Sequence, residues 1–409
     1  MLGAINTVIF CAFLVFGPSL PAVQYSRIDR IQVGPTPQGQ CKMELAEELR
    51  IGLVNGPEEY AFTQIDALLV GAEGSIYVVD LHSQGIRQFD RNGQFVRWIG
   101  REGEGPGEFR SILGIGALSD GRFSIWDYGN RRITVYDSAG AYIEGIRVGA
   151  GAYTSRPFQV DTSGTYFLKV IEGQPGITSS GQLFVLNYAY LKISPAGRVL
   201  DTLSLPSETP PGSFIFGTVG GNLRPFTRHE VYALSPLGHL VVGSNAEYSF
   251  EIRDPQGSVT VQRDDFEPVE VGREELEEWR ALASHNERMS GLSFDAIPDE
   301  KPAFRNLWVD SDGRIWVHRY VEAVKRDLPE VRRTRGAPAP NITWREPGLF
   351  DVYSKEGDFL WCAELPWNAK EHASQGSLVW GVIRGDFDEE YVVRWRLIPN
   401  GGGDPHISP

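Results

Sequence analysis

The sequence predicts an all-β protein, a six-bladed β-propeller. Residues 62–110 are nearly repeated by residues 109–157, because Gly74 aligns with Gly121 and Asp80 with Asp127 at one offset (121 minus 74 and 127 minus 80 both give 47). A period of this length on short apolar runs is typical of propeller blades. The 46 glycines and 26 prolines suit many tight turns. Strands are also predicted near both ends of the chain, and neither end alone supplies the four strands of a blade.

Those two ends predict how the ring closes. Met43–Gly52 has the pattern of the last strand of a blade, with no earlier strands to pair with. Leu378–Ile383 and Glu390–Ile398 are predicted as the first and second strands of a final blade, after which the chain stops. An unpaired strand edge invites aggregation. We therefore expect the N-terminal strand to complete the C-terminal blade, as part of a propeller over residues 45–398.

Five further blades are predicted by runs of short strands in chain order. Their ranges are Ile65–Gly100, Ile112–Val148, Phe158–Leu205, Val231–Arg263 and Phe304–Leu365. One helix is expected at residues 273–290, where Leu276, Trp279 and Ala283 share a face and acids fill the first turn. We interpret this helix as an inter-blade insertion, with a lid as the alternative.

The N-terminal residues 1–22 are predicted to be a signal peptide. The apolar run from Met1 to Gly17 is shorter than the ~20 residues of a membrane-crossing helix and suits a secretory signal. No Lys or Arg precedes it, so a retained anchor and a mis-assigned start stay open. Export to the periplasm or outside is expected, with no membrane span in the mature chain. Residues 23–44 would form an N-terminal segment with a strand at Ser26–Gly34, and residues 399–409 a tail.

Two cysteines, Cys41 and Cys362, remain in the mature chain. An exported protein could join them in a disulfide. Two free buried thiols are the preferred interpretation, because free cysteines are commonly buried.

The charge balance limits the partners. The chain has 39 basic and 53 acidic residues, a net charge of −14, which repels phosphate backbones. Nucleic acid is therefore not an expected partner. No phosphate-binding loop, nucleophile elbow or metal-binding histidine spacing occurs, so no cofactor, metal site or catalytic residue is predicted. We expect a monomer.

The first blade carries a family resemblance. Ile76–Asp80, Ile86–Asp90 and Gly93, followed by the stretch Gly100–Phe109, resemble extracytoplasmic six-bladed propellers of the NHL-repeat or TolB-like type. The resemblance implies the fold. It does not imply one activity, because related propellers include binding and scaffold modules as well as metal-dependent lyases and lactonases.

Propellers usually bind ligands at the mouth of the central channel, where the inner strands begin. In this acidic chain the predicted starts of those strands carry four arginines with three polar neighbours. These candidate ligand-binding residues are Arg110, Arg156, Arg228, Arg305, Gln64, His229 and Asn306. An arginine fork suits carboxylate or phosphate, so we predict an anion-binding mouth. The competing interpretation is that each arginine pairs with an acid on an adjacent blade.

Three functions stay open at this stage. The first is an exported binding module for an anionic small molecule or peptide at the mouth, or for a protein partner through the loops at 206–225 and 322–348. The segment Glu322–Gly348 is basic and proline-rich, and is interpreted as a polar loop or an anion-contacting surface. The second is a metal-dependent lyase or lactonase of the same fold. The third is a purely structural interaction module.

Overall fold

The fold is a ring of six four-stranded blades. A computed structural model describes residues 28–32, 43–71, 73–81, 85–149, 154–172, 187–206, 225–254, 257–290, 296–327, 339–385 and 388–399. The predicted signal peptide at 1–22, the tail at 400–409, most of the loop at 206–225 and the residues 328–338 lie outside these ranges. Two strands precede the first blade: β1 (Ile28–Gln32) and β2 (Met43–Ile51).

Blades one to three follow in chain order, each an antiparallel sheet with its first strand innermost. A one-turn 3-10 helix, Glu58–Tyr60, precedes blade one. The strands of blade one are β3 (Ile65–Val70), β4 (Ile76–Asp80), β5 (Ile86–Phe89) and β6 (Phe95–Ile99). A short pair, β7 (Arg101–Glu102) and β8 (Glu108–Phe109), leads to blade two: β9 (Ile112–Ala117), β10 (Phe123–Asp127), β11 (Arg132–Tyr136) and β12 (Tyr142–Arg147). Blade three has β13 (Thr154–Val160), β14 (Tyr166–Glu172), β15 (Asn187–Ile193) and β16 (Val199–Ser204).

Blades four to six contain the helix and the ring closure. Blade four has β17 (Glu230–Leu234), β18 (Leu240–Ser244), β19 (Ser249–Asp254) and β20 (Gly257–Gln262). The insertion consists of β21 (Val269–Glu270), α1 (Arg273–Ser290) and β22 (Glu300–Lys301). Blade five has β23 (Phe304–Val309), β24 (Ile315–Arg319), β27 (Gly348–Tyr353) and β28 (Phe359–Leu365), with the hairpin β25 (Val324–Lys325) and β26 (Trp344–Arg345) between its middle strands. Blade six has β29 (Ala369–Gln375), β30 (Leu378–Arg384) and β31 (Glu390–Pro399).

The core lies between the blades. Six clusters of buried side chains each join two neighbouring blades, and one of them links blade six to blade one through Trp380, Ile51 and Ile76. All five residues of β4 are buried, as expected for a second strand with apolar side chains on both faces. The apolar residues of such strands become buried only when another blade covers each face, so the ring and the core form together.

The hairpin turns explain the regular spacing of glycine. Two five-residue turns, Asp90–Gln94 and Asp137–Ala141, lie 47 residues apart. In each turn the carboxylate of the first residue, an aspartate, accepts the backbone N–H of the fifth residue at 2.8 Å. The fourth residue, Gly93 or Gly140, has a φ of 78° or 79°, a conformation that glycine adopts without strain. The repeat seen in the sequence is therefore a repeat of turn geometry.

The N-terminal strand closes the ring as predicted. β2 pairs antiparallel with β31 from Met43 opposite Pro399 to Ile51 opposite Val392, and so becomes the outermost strand of blade six. Met43 also bridges to Ala363 of β28 in the neighbouring blade. The inner strand of blade six contacts that of blade one. The predicted helix at 273–290 is confirmed.

Three details of the prediction are wrong. Leu378–Arg384 and Glu390–Pro399 are the second and third strands of blade six, because β29 precedes them. The sequence of β29, Ala-Lys-Glu-His-Ala-Ser-Gln, has few β-branched or aromatic residues, so its strand conformation depends on pairing with β30. The first N-terminal strand, β1, joins blade four in parallel with β20 instead of the last blade. Cys362 is disulfide-bonded, not a free thiol; Cys41 lies outside the described residues.

A truncation pair tests the closure. A chain beginning at residue 53 lacks β2 and exposes the edge of β31, so we expect loss of cooperative thermal unfolding and aggregation on size exclusion. A chain beginning at residue 33 loses β1, which only adds a fifth strand to a complete blade, and should unfold cooperatively. Equal behaviour of the two chains would contradict the assigned roles of β1 and β2.

Candidate functional site

The predicted mouth residues lie where the inner strands begin. Gln64, Arg110 and Arg228 come just before the inner strands of blades one, two and four, and Arg305 and Asn306 open that of blade five. Arg156 belongs to the inner strand of blade three, but its side chain lies outside the described part. Because the inner strands of a propeller run side by side around the axis, these positions share one face of the ring.

Buried polar side chains hold these strand starts in place. Asp80 accepts the N–H groups of Thr63 and Gln64, at 3.0 and 3.3 Å, and Asp127 accepts those of Arg110 and Ser111, at 3.2 and 3.1 Å. In blade four the side-chain oxygen of Asn245 accepts the N–H of His229 at 2.6 Å. The two aspartates therefore have a structural role, because each fixes the start of an inner strand.

The three arginines whose side chains are described are each paired with a glutamate. Arg110 lies 2.7 Å from Glu104, Arg228 lies 3.2 Å from Glu300, and Arg305 lies 2.7 Å from Glu346. The first two pairs are exposed, and exposed pairs contribute little to stability. Each of the three arginines lines a different cavity. The structure thus puts them on one face without gathering them around one ligand-sized space.

The three polar neighbours make local contacts. Gln64 is exposed. The Nδ1 atom of His229 lies 3.0 Å from the carbonyl oxygen of Thr227. The Nδ2 group of Asn306 reaches Glu371 at 3.5 Å, which links the inner strands of blades five and six. Burial raises the pKa of Glu371.

A cavity of about 260 Å³ lies on this face between blade five, blade six and α1. We call it the aromatic pocket. It combines five aromatic rings with two arginines, a histidine and two glutamates. Its lining residues are Pro225, Phe226, Glu275, Trp279, Arg305, His318, Tyr320, Trp344, Arg345, Glu346, Gly348, Trp367 and Ala369.

Helix α1 forms one wall of the aromatic pocket. Its apolar face packs Leu276, Trp279 and Ala283 against Phe226, the spacing that the sequence predicted for a buried face. The ring of Phe226 meets those of Trp279 and Tyr320 edge-on, with centroids 5.9 and 5.8 Å apart. Phe226 has a φ of 62°, a strained conformation for a bulky residue. The helix is an inter-blade insertion, and it also shapes the pocket.

A buried charge network anchors the helix to blade five. The ammonium group of Lys301, fully buried, lies 3.0 Å from Glu275 of α1 and 2.8 Å from Glu346. It also donates to the carbonyl oxygen of Val321 at 3.0 Å. Glu346 pairs in turn with Arg305, whose guanidinium lies 4.4 Å from the ring centroid of Tyr320. Burial raises the pKa of Glu275, and Lys301 opposes that shift.

Arg345 differs from the other arginines of the pocket. It follows Trp344 in β26 and is half-buried. Throughout the described ranges its guanidinium has no hydrogen bond and no carboxylate within ion-pair distance. Burial lowers its pKa, the negative charge of Glu278 opposes that shift, and the charge of Arg305 adds to it. A cation left partly desolvated and unpaired is costly unless an anion binds it.

His318 adds a neutral ring to the pocket. It lies near the end of β24, with its ring 4.3 Å from that of Phe350. Burial, with a smaller effect from Arg305, lowers its pKa to about 3. The imidazole is therefore uncharged at neutral pH, and can donate or accept one hydrogen bond in the pocket without adding charge.

A larger cavity, of about 400 Å³, lies between blades one and two. Its charged lining includes Asp66, Asp80, Glu102 and Arg110. Asp80 is paired with Arg87 at 3.0 Å in the interior, and Arg110 is paired with Glu104. Three of these four charged lining residues are acids, which disfavours an anionic ligand here and makes the aromatic pocket the stronger candidate for one.

Sequence reasoning did not identify Trp344, Arg345 or Trp367 as site residues. The sequence Trp344-Arg-Glu346 could have indicated a site, because it combines an aromatic residue, a cation and an acid. It lies near the end of a segment interpreted as a polar loop. The ends of that segment pair as β25 and β26, and Glu278 of α1 accepts the N–H of Thr343 at 2.6 Å. These contacts, together with the ion pairs of Glu346, bring the tripeptide to the mouth.

The described ranges contain no group of three or more His, Cys, Asp or Glu side chains that could hold a metal ion. No helix in the same ranges is long and apolar enough to cross a membrane.

Comparison with known proteins supports the fold. The profile of a family described as 6-bladed beta-propeller (DUF5128) matches residues 52–192. A member of the DUF4221 family from Bacteroides vulgatus superposes with a TM-score of 0.50 at 13% identity, over 88% of this chain and 99% of that chain. No curated protein matches the sequence significantly.

Two further structures superpose with lower scores. A protein from Bacteroides fragilis whose name describes it as thought to be exported gives a TM-score of 0.47 at 9% identity, over 91% of this chain and 100% of that chain. Virginiamycin B lyase from Staphylococcus aureus gives a TM-score of 0.40 at 12% identity, over 87% of this chain and 100% of that chain.

The charge network predicts a large effect at Lys301. In Lys301→Met two buried carboxylates lose their shared cation, so we expect the free energy of unfolding in urea to fall by about 3–5 kcal/mol. Lys325→Met is the matched control, because Lys325 pairs with Glu274 at 3.1 Å on the surface and should cost less than ~1 kcal/mol. Similar losses in the two variants would contradict the network's role.

The depressed pKa of His318 predicts a pH dependence. The ordinary pKa is 6.5 and the folded value is about 3. As pH falls through this window, the unfolded chain binds a proton that the folded chain does not. This group therefore lowers the unfolding free energy by about 1.4 kcal/mol per pH unit. His318→Gln should reduce the slope of stability against pH between pH 4 and 6 by this amount. His372→Gln serves as a matched variant, because burial also lowers the pKa of His372 to about 3. An unchanged slope in His318→Gln would rule out a buried neutral imidazole.

Proposed function

We propose that this protein is an exported propeller of the NHL-repeat or TolB-like type that binds an anionic small molecule or peptide in the aromatic pocket. The observation that carries the proposal is the half-buried guanidinium of Arg345, for which the described ranges contain no carboxylate partner. It lies in the lining of a concave, largely aromatic site on the face where propellers bind ligands.

Electrostatics favour an anion at Arg345. The pairs Lys301–Glu275 and Arg305–Glu346 balance one another's charge, whereas Arg345 forms no ion pair in the described ranges. Glu278 offsets part of its charge from outside ion-pair distance, and the guanidinium keeps its hydrogen-bond donors free for a ligand. A carboxylate can accept two parallel hydrogen bonds from one guanidinium. The net charge of −14 repels anions at long range, so recognition depends on this local cation.

Export is supported by the leader-like first 22 residues and by the disulfide at Cys362. Disulfides persist in oxidising compartments and are uncommon in the cytosol. A periplasmic or extracellular location would also suit a protein that collects a small ligand. We keep 1–22 as the signal peptide and 45–398 as the propeller in this proposal.

The other expectations remain hypotheses. A protein partner would use the loops at 206–225 and 322–348, and the mature protein would act as a monomer. The metal-dependent lyase or lactonase is the alternative function. Stoichiometric calcium or zinc in the purified protein would favour it.

A ligand screen tests the binding proposal. We expect carboxylates to raise the thermal midpoint of the wild type, because a ligand at about 100 times its Kd stabilises the folded state by about 2.7 kcal/mol. Arg345→Gln should bind about tenfold or more weakly, since a hydrogen bond to a charged group contributes about 1.5–3 kcal/mol. Arg122→Gln is the control, because Arg122 pairs with Asp120 at 2.7 Å in a hairpin at the other end of its inner strand. Absence of any anion-dependent shift in the wild type would refute the proposal.

A further inference from the structure

We infer that the aromatic pocket selects a ligand that carries one aryl ring and a single carboxylate. This inference rests on the proposed function and adds the class of ligand. It follows from three properties of the pocket: its size and aromatic walls, its excess of unpaired donors over acceptors, and its single cation that forms no ion pair.

The size and walls favour one flat ring. The cavity of about 260 Å³ is smaller than the ~300–1,000 Å³ of most small-molecule sites. Phe226, Trp279 and Tyr320 already meet edge-on, with centroids 5.8–5.9 Å apart. Aromatic rings prefer such edge-to-face or offset-stacked arrangements, and each pair adds about 0.5–1.5 kcal/mol beyond burial. A ligand ring would extend a cluster that is already built.

The polar groups of the pocket favour an acceptor-only group. The Nε1–H of Trp344 is buried and has no hydrogen-bond partner among the described residues, and Arg345 beside it is also unpaired. Both are donors. A carboxylate accepts hydrogen bonds and donates none, so it matches these two groups.

The acceptors are largely occupied, which disfavours a sugar acid. One oxygen of Glu346 accepts from Lys301 at 2.8 Å, and the other pairs with Arg305 and accepts the N–H of Val321 at 3.3 Å. Glu275 is engaged by the same lysine at 3.0 Å. The hydroxyl groups of a sugar would lose water without gaining acceptors, and an unpaired buried hydroxyl costs about 1–3 kcal/mol.

The charge count favours one carboxylate over a phosphate. Lys301, Arg305, Glu275 and Glu346 form ion pairs, and Arg345 forms none, although Glu278 offsets part of its charge. At most one positive charge is therefore left for a ligand, and a monovalent carboxylate is enough to neutralise it. A phosphate monoester near neutral pH carries up to two charges, and the second would remain buried without a partner. An aryl carboxylic acid and a peptide with an aromatic C-terminal residue share the favoured chemistry.

Isothermal titration with matched probes tests the inference. The probes are phenylacetate, its neutral amide phenylacetamide, acetate, glucuronate and inorganic phosphate. N-acetylphenylalanine, with its free carboxylate, represents the peptide source. We expect phenylacetate to bind at least tenfold more tightly than acetate, phenylacetamide, glucuronate and phosphate. Tighter binding of N-acetylphenylalanine than of phenylacetate would assign the peptide source, and the reverse order the free acid.

Two variants report on the two halves of the ligand. Arg345→Gln should weaken phenylacetate by about tenfold and leave phenylacetamide unchanged. Trp344→Leu should weaken phenylacetate more than acetate. Arg122→Gln should change neither, as before.

The outcomes separate this inference from the proposed function. If glucuronate or phosphate binds and phenylacetate does not, the ring-and-carboxylate inference is wrong and the anion-binding function survives. Equal affinities for phenylacetate and phenylacetamide would overturn the carboxylate. If none of the anions binds to the wild type, the inference and the proposed function fail together.

Discussion

The pairing of β2 with β31 is the constraint on which the rest of the structure depends. It joins residues near the start of the chain to residues near its end and supplies the fourth strand of blade six. The cluster behind it, with Ile51, Trp380 and Ile76, fills the space between blades six and one. Without this pairing one blade would present an open edge and a neighbouring core would lose a wall. The core between blades five and six also takes Met43 from β2, and the other four inter-blade cores form between blades that are consecutive in the chain.

Closure also decides where polar groups meet. With the ring shut, the inner strands begin on a common face, held there by buried side chains such as Asp80, Asp127 and Asn245. Backbone N–H groups occupy the side-chain oxygens of these residues, so these oxygens hold the strand starts. The ordinary parts of the repeat thus build a frame. The insertion between blades four and five, which departs from the repeat, brings the helix and its buried charges.

The aromatic pocket results from that departure. Helix α1 is fixed to blade five through Lys301, which lies between Glu275 and Glu346, and the hairpin β25–β26 is fixed to the helix through Glu278. Once these buried contacts form, Trp279, Trp344 and Arg345 are held around one space. The same arrangement places four of the charges in ion pairs and leaves Arg345 outside any such pair, with its donors open to a ligand. Stability and recognition therefore depend on one network.

The sequence by itself determined the blade, the turn and the closure. These features are encoded by local or periodic sequence patterns. The same turn geometry recurs after 47 residues, at Asp90 and Asp137, and the apolar residues on both faces of β4 predict a strand packed between two sheets. Leu276, Trp279 and Ala283 predicted the buried face of the helix because a helical period is also local. The arginines at the inner strands were found for the same reason, by their equivalent places in the repeat.

Only the tertiary structure decided which arginine lacks a partner. Whether a guanidinium is paired depends on residues distant in the chain, as Glu300 is for Arg228, and no periodic pattern encodes such distances. β29, with few residues of high strand propensity, became a strand because blade six pairs it. β1 lies on blade four because β20 offers an edge, although its sequence is equally suited to another sheet. Pairing between residues distant in the chain depends on the three-dimensional arrangement of the blades, which a periodic sequence pattern does not specify. The aromatic pocket is formed by such distant residues.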